Sequence, residues 1–265
     1  MRVLVLGAYG LIGSHVTRHL VDAGCTVTGL GRDITRAALA RSEIDWLTAD
    51  LATLTTTAAW QPILRAARPE AIVNCAGVLQ DGLHDNVRTV QQHAMQALYK
   101  AAEETGVTRL VQISSPHADT SANTDFMQSK AIADGALKTT DLEWTILRPG
   151  LVIAADAYGG SAVLRALAAV PYVQPLDFAD ARIQTVAADD VANAVVRVLS
   201  GAVPSRQSYD LVEDQAHTLA EIVAAMRTWL GEPPAHSIRI PNEVARVMAR
   251  IADGVGWLGW RPPLR

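Results

Sequence analysis

The first residues of this chain whose types and spacing imply chemistry are the glycines of Gly7-Ala8-Tyr9-Gly10-Leu11-Ile12-Gly13. They follow a strand-length apolar run, Arg2–Gly7, and open a segment with Leu11, Val16 and Leu20 at helical spacing. At a strand-to-helix turn of this kind, free backbone N–H groups at the positive end of the helix can donate to a pyrophosphate. The first glycine permits the tight turn, the second removes a Cβ from the path of the phosphate, and the third lets helix and strand pack closely. Gly7, Tyr9, Gly10, Leu11, Ile12 and Gly13 are therefore expected to line a dinucleotide site.

Other groups belong to that site by position. About 20 residues on, where a carboxylate would bind the adenosine 2′-hydroxyl of NAD, the chain has Gly31-Arg32. Gly31 leaves room, and the planar, permanently charged fork of Arg32 suits a 2′-phosphate, which points to NADP, with NAD as the alternative. Asp33 follows and is available either to pair with Arg32 or to bind a ribose. Asp50-Leu51 ends a third strand, where a carboxylate can accept from the adenine amine, and Asn74-Cys75-Ala76-Gly77 ends a fourth, beside the ribose.

The elements that must hold these groups alternate along the chain. Strand runs at Arg2–Gly7, Thr26–Leu30, Ile44–Thr48, Ala71–Asn74 and Arg109–Ser114 are separated by helical patterns, one ending near Arg68 and another running from about Asp85 to Glu104. Right-handed crossovers then give an α/β fold: a doubly wound parallel sheet of the Rossmann type with helices on both faces. After Leu151 the rhythm weakens at Gly159-Gly160, Pro171 and Pro175, before a helix from Asp190 to Leu199, with Asp189-Asp190 as its N-cap. Residues 1–154 and 183–214 are expected to form the dinucleotide-binding domain, with Ser208–Val212 as an edge strand. Residues 155–182 and 215–265 are expected to form a small substrate-side lobe.

In Asn242–Trp260, Val244, Val247, Met248, Ile251, Val255 and Leu258 recur at helical spacing. Trp257, Trp260 and Arg261 follow near Pro262-Pro263-Leu264-Arg265. This helix either caps the small lobe or contacts a membrane or a partner protein.

The 23 basic and 27 acidic residues are spread along all 265 positions, giving a net charge of -4 and no single-sign field for a nucleic-acid backbone. Nucleic acid is not an expected partner. Cys25 and Cys75 are too few and too far apart for a disulfide framework or a metal site, so two buried, reduced thiols and a cytoplasmic setting are expected. The start MRVLVLGAYG lacks the features of an export signal, and no apolar run reaches the roughly 20 residues that span a bilayer.

The segments GAYGLIG, GR, ADL, NCAG, QISS, SK and LRPG, in this order, resemble the short-chain dehydrogenase/reductase superfamily over residues 1–215. In that family a tyrosine is the acid or base, a lysine four residues later lowers its pKa, and a serine after the fifth strand assists. Here the corresponding segment is Phe126-Met127-Gln128-Ser129-Lys130, with Ser114 or Ser115 in the place of the serine. Phe126 has no proton to give, and acid–base catalysis needs an ionisable group within reach. The family lysine also bonds the nicotinamide ribose, so the resemblance keeps Lys130 as cofactor-binding. The segment Leu147-Arg148-Pro149-Gly150 lines the nicotinamide end in relatives, which adds Pro149. Lys130, Ser114, Ser115 and Tyr158 remain candidates for catalysis, and His84 and His117 flank loops on the same side.

With Leu6 where threonine is common, the chain looks like the atypical branch of the superfamily, which includes NmrA-like regulators, flavin reductases and an accessory subunit of respiratory complex I. Some bacterial relatives of this type continue into a membrane-embedded region, and relatives often pair through helices around residues 85–104 and 124–139, so a homodimer and a membrane-associated C-terminus are implied. The expected activity is hydride transfer from NADPH to a small acceptor such as a flavin or quinone. The alternative is a non-catalytic dinucleotide sensor or structural subunit, and a conventional alcohol dehydrogenase or sugar epimerase comes third.

Overall fold

A computed structural model describes residues 1–82, 86–156, 160–176 and 178–239. The first half alternates β1 (Arg2–Leu6), α1 (Leu11–Asp22), β2 (Thr26–Gly31), α2 (Thr35–Ala40), β3 (Asp45–Thr48), α3 (Thr57–Ala67), β4 (Ala71–Asn74), α4 (Ala94–Glu104), β5 (Arg109–Ile113), α5 (Asp125–Lys138) and β6 (Glu143–Pro149). Then come β7 (Leu151–Ile153), α6 (Gly160–Ala169), β8 (Val173–Leu176), β9 (Arg182–Ile183), β10 (Thr185–Ala187), α7 (Ala188–Leu199), β11 (Gln207–Leu211), β12 (His217–Thr218), α8 (Leu219–Trp229) and β13 (His236–Arg239).

Seven strands form one parallel sheet in the order β11-β6-β5-β4-β1-β2-β3. The chain winds outward one way through β2 and β3 and the other way from β4, so the order reverses between β1 and β4, the switch point of a doubly wound Rossmann fold. Continuous apolar strands such as Val3-Leu4-Val5-Leu6 are buried throughout because helices cover both faces of a parallel sheet. On one face α3, α4 and α5 close over Leu4, Leu6, Ile72, Leu110 and Ile146, with Trp60 and Tyr99 fully buried among them. On the other, α1 packs on α7.

The chain divides into two compact units, residues 1–150 with 187–211 and residues 151–186 with 212–265. The second unit has its own small core of Ala168, Leu176 and Val223, and it contains short strand pairs, β7 with β10, β9 with β12 and β8 with β13. Its segments read from sequence as irregular are thus partly ordered as two-strand ribbons. Within it, the buried Arg227 donates to the carbonyls of Ala168 and Val170, tying α8 to the end of α6.

Three local expectations are corrected. The helix drawn from Asp85 is helical from Val87 and is interrupted by a π turn at Thr89–His93 before α4. Asp189 and Asp190 lie in the first turn of α7, whose N-cap is Ala187. There, one oxygen of Asp189 accepts from Arg18 at 2.5 Å and bonds His15 at 2.6 Å and His19 at 3.1 Å, an ionic clasp between α1 and α7 that holds its carboxyl below the usual range. Cys25 and Cys75 are free, as expected, and as whole residues half-buried rather than buried, although the Cys75 thiol itself is desolvated. His84, Tyr158 and the helical pattern of Asn242–Trp260 lie outside the described residues. Among the described residues no helix is long and apolar enough to cross a membrane, and no group of three or more His, Cys, Asp or Glu is placed to hold a metal ion.

Candidate functional site

Strand register gathers the expected residues at one edge of the sheet. Leu6 pairs with both Leu30 and Asn74, Asn74 with Gln112, Ile113 with Leu147, and Gly31 with Thr48. The glycine turn, Gly31-Arg32, Asp50, Cys75–Gly77, Ser114-Ser115 and Pro149 therefore all follow or end strands at the carboxyl edge, around the switch point.

The turn is built as its spacing requires. Gly7 has φ of 69°, and a Cβ there would stand 3.0 Å from the backbone of Ala76. Gly13 permits still closer packing, since its Cβ would fall 2.1 Å from the Gly7 carbonyl oxygen. At Gly10 a Cβ would meet only that oxygen, at 3.2 Å, among the described residues, so the space before the turn is open. Gly10 is the N-cap of α1 without a side-chain cap, and the first turn of the helix carries no acidic residue. The N–H groups of Leu11, Ile12 and Gly13 begin the helix, where no carbonyl lies four residues back within it. An uncapped, open helix start fits a dinucleotide's phosphates.

Gly31 differs from expectation. The space that its missing Cβ leaves is filled by the Tyr9 ring, whose Cε1 would lie 2.1 Å from that Cβ, and the Tyr9 hydroxyl accepts from the Arg32 N–H at 3.3 Å. Gly31 thus makes room for a protein ring, while the Arg32 side chain is exposed at the strand end. Asp33 accepts from the Thr35 N–H at 3.2 Å, and Asp50 from the Ala52 N–H at 3.0 Å, so each carboxylate also holds a local turn; Leu51 is half-buried.

Asn74, the last residue of β4, is 1% exposed. Its amide donates to Gln112 at 2.9 Å, and its oxygen accepts from the Ala76 N–H at 3.0 Å, which fixes the loop carrying Cys75, Ala76 and Gly77. Tyr99 donates to the same Gln112 oxygen at 3.1 Å. Desolvation pushes the Cys75 thiol up to about 12, so it is neutral. Gln91, delivered by the π turn, donates to the carbonyl of Val78 at 3.0 Å.

The end of β5 carries the residues that the sequence resemblance marks for catalysis. Ser114 is buried and donates to Asp134 at 2.6 Å, so its hydroxyl faces the interior; Ser115 is half-buried and His117 exposed. Lys130 is 7% exposed, donates to the Ile113 carbonyl at 2.9 Å, and lies 5.4 Å from the centre of the Phe126 ring. Burial lowers its pKa to about 8, with Asp134 and Cys75 acting in the opposite direction. Pro149 ends β6, buried and paired with Leu211. Asp134 and Gln91 were not singled out in the sequence, and Gln112 only as part of QISS; Asp134 left a signal in its place one helical turn after Lys130.

Residues 7–201 match the NAD(P)H-binding family, and the chain belongs to that family. As a member of that family it carries a domain for a nicotinamide dinucleotide. Among solved structures it is similar to the enzyme WbmH of Bordetella bronchiseptica, determined with NAD+, at 19% identity and a TM-score of 0.75 over 91% of this chain and 85% of the other. It is also similar to UDP-glucose 4-epimerase of Thermus thermophilus, determined with NAD, at 22% identity and a TM-score of 0.71 over 97% and 93% of the two chains. These likenesses are of fold. The uncharacterised protein Rv2047c of Mycobacterium tuberculosis is 27% identical over 96% of this chain, which spans 26% of the length of that relative.

Proposed function

We propose that this chain binds NADP(H) and is an oxidoreductase that delivers hydride to a small acceptor needing no protein acid, such as a flavin or quinone. The observation that carries the reading is the combination at the end of β5: Phe126 stands over the Lys130 amine, and Ser114 is bonded to Asp134. Neither serves as a proton relay, so a carbonyl acceptor would lack the family's acid, whereas a flavin or quinone takes hydride with little such help. The open, uncapped start of α1 would hold the pyrophosphate, Arg32 the 2′-phosphate and Lys130 the nicotinamide ribose. When bound, the nicotinamide supplies the hydride; the chain's own residues orient it.

A second reading is a non-catalytic dinucleotide-sensing module. It is supported by the same missing acid and by the relatives being about four times as long as the matched region, since a domain within a larger chain can signal cofactor occupancy to its neighbours.

Calorimetric titration with NADPH and NADH, followed by oxidation assays with flavin and quinone acceptors, separates them. Tight NADPH binding with turnover is the expected result. Binding without turnover favours the sensor, and no binding of either nucleotide removes both readings.

A further inference from the structure

We propose that Asp134 is a positioning residue that acts through Lys130: its carboxylate is the counter-ion that keeps the buried amine charged and thereby sets the pH range in which the amine can hold a ribose hydroxyl. The last clause rests on the cofactor role given to Lys130 above.

The two residues lie one turn apart on α5, and both are buried, Lys130 at 7% and Asp134 at 3% exposure. An ammonium in such a place is unfavourable unless an opposite charge faces it. The groups around it are few. Cys75, on the loop after β4, is held neutral by burial, as is the phenol of Tyr99 on α4. Arg148 on β6 and Lys138 on α5 are cationic and act on Asp134. Asp134 is therefore the carboxylate that acts on Lys130 among the described residues.

Its orientation is fixed from two further strands. Ser114, beyond β5, donates to Oδ2 at 2.6 Å, and Arg148 Nη2 stands 4.0 Å from the same oxygen. Its other oxygen, Oδ1, is buried with no hydrogen-bond partner among the described residues. Burial raises the Asp134 pKa above the ordinary carboxylate value, and Ser114, Lys130 and Arg148 oppose that rise and favour the charged form. Lys130 in turn is anchored at the strand end by the Ile113 carbonyl. The result is a buried Ser114–Asp134–Lys130 arrangement in which Ser114 favours the charged carboxylate and the carboxylate favours the ammonium.

The chain contains three lysines, Lys100, Lys130 and Lys138, so labelling lysine ε-carbons with 13C gives three signals whose titration can be followed in the cofactor-free protein. Loss of the Lys130 signal in Lys130→Met assigns it, and Lys100 serves as the internal reference. Asp134→Asn keeps the shape and an acceptor for Ser114 while removing the charge. It is expected to lower the Lys130 midpoint by about one pH unit, a tenfold change in proton affinity, with Lys100 unmoved; Asp134→Glu restores it. Ser114→Ala is expected to move the midpoint the same way by less, and carries the test if Asp134→Asn does not fold. NADPH affinity, titrated across pH, should fall as each protein passes its own Lys130 midpoint. An unmoved midpoint in the folded variants overturns the proposal. A moved midpoint, with Lys130→Met binding NADPH as tightly as the parent, sustains the Asp134–Lys130 coupling and removes Lys130 from the cofactor site.

Discussion

The two ends of the candidate cofactor site are made in opposite ways. At the glycine turn, recognition is left to backbone: Gly7, Gly10 and Gly13 have no side chains, the helix start has no cap, and the spacing lies within seven residues. At the end of β5 the candidate group is a side chain, Lys130, whose surroundings come from β5, α5 and the loop after β4. The first end is specified by what is absent, and tolerates nothing added. The second is specified by a balance of burial against charge, and is tunable.

Gly13 is the position at which a substitution is expected to do most damage. A Cβ there would collide with the Gly7 carbonyl group, whose oxygen would be 2.1 Å and carbon 2.8 Å away, and backbone cannot swing aside. Gly13→Ala is expected to cost on the order of 3 kcal/mol or more in chemical denaturation, at the upper end of overpacking effects. Gly10→Ala, whose Cβ would face open space apart from one oxygen, should leave stability within about 1 kcal/mol and weaken both nucleotides at least ~10-fold through phosphate contact. Equal effects of the two variants on stability would contradict the division of labour between these glycines.

At the other end the largest effect is in pH. An unfolded lysine titrates near 10.5, and burial lowers that of folded Lys130 to about 8. Between those values the unfolded chain holds a proton that the folded chain has lost, so stability rises with pH. Relative to Lys130→Met, the parent should therefore gain stability from pH 8 to 10.5, by up to roughly 3 kcal/mol, and show a constant difference below pH 8. Denaturant titrations of both proteins at several pH values measure this; parallel curves would mean that Lys130 titrates as a solvated lysine.

Two smaller effects sharpen the adenosine end. Arg32→Ala should weaken NADPH by about 10- to 100-fold, the scale of a lost charged hydrogen-bond pair, and NADH much less. Equal losses in calorimetry would remove the 2′-phosphate role. Gly31→Ala should displace only the Tyr9 ring, a movable side chain, and cost about 1 kcal/mol or less in stability. A loss as large as that of Gly13→Ala would show that the Tyr9 ring is as immovable as backbone.

Much of the fold is legible in the sequence because it is local. Apolar runs such as Val3–Leu6 and Ile72–Val73 announce buried parallel strands, and the helical spacing between them gives the crossovers. The glycine turn is legible for the same reason, since its three roles fall within one strand-to-helix junction. The sequence also determined that Phe126 can donate no proton, because that is a matter of residue type alone.

Tertiary structure decided the rest, wherever a role depends on which distant group arrives. Gly31 looks like space for a ligand until Tyr9, 22 residues earlier, fills it. Asp189 looks like a cap until α7 packs on α1 and His15, Arg18 and His19 meet its carboxylate. Ser114 looks like a catalytic hydroxyl until α5 brings Asp134 within 2.6 Å, and Lys130 acquires its lowered pKa only when β4, β5 and α5 close around it. Spacing along a chain reports what a residue can do; desolvation and long-range packing decide what it is left free to do.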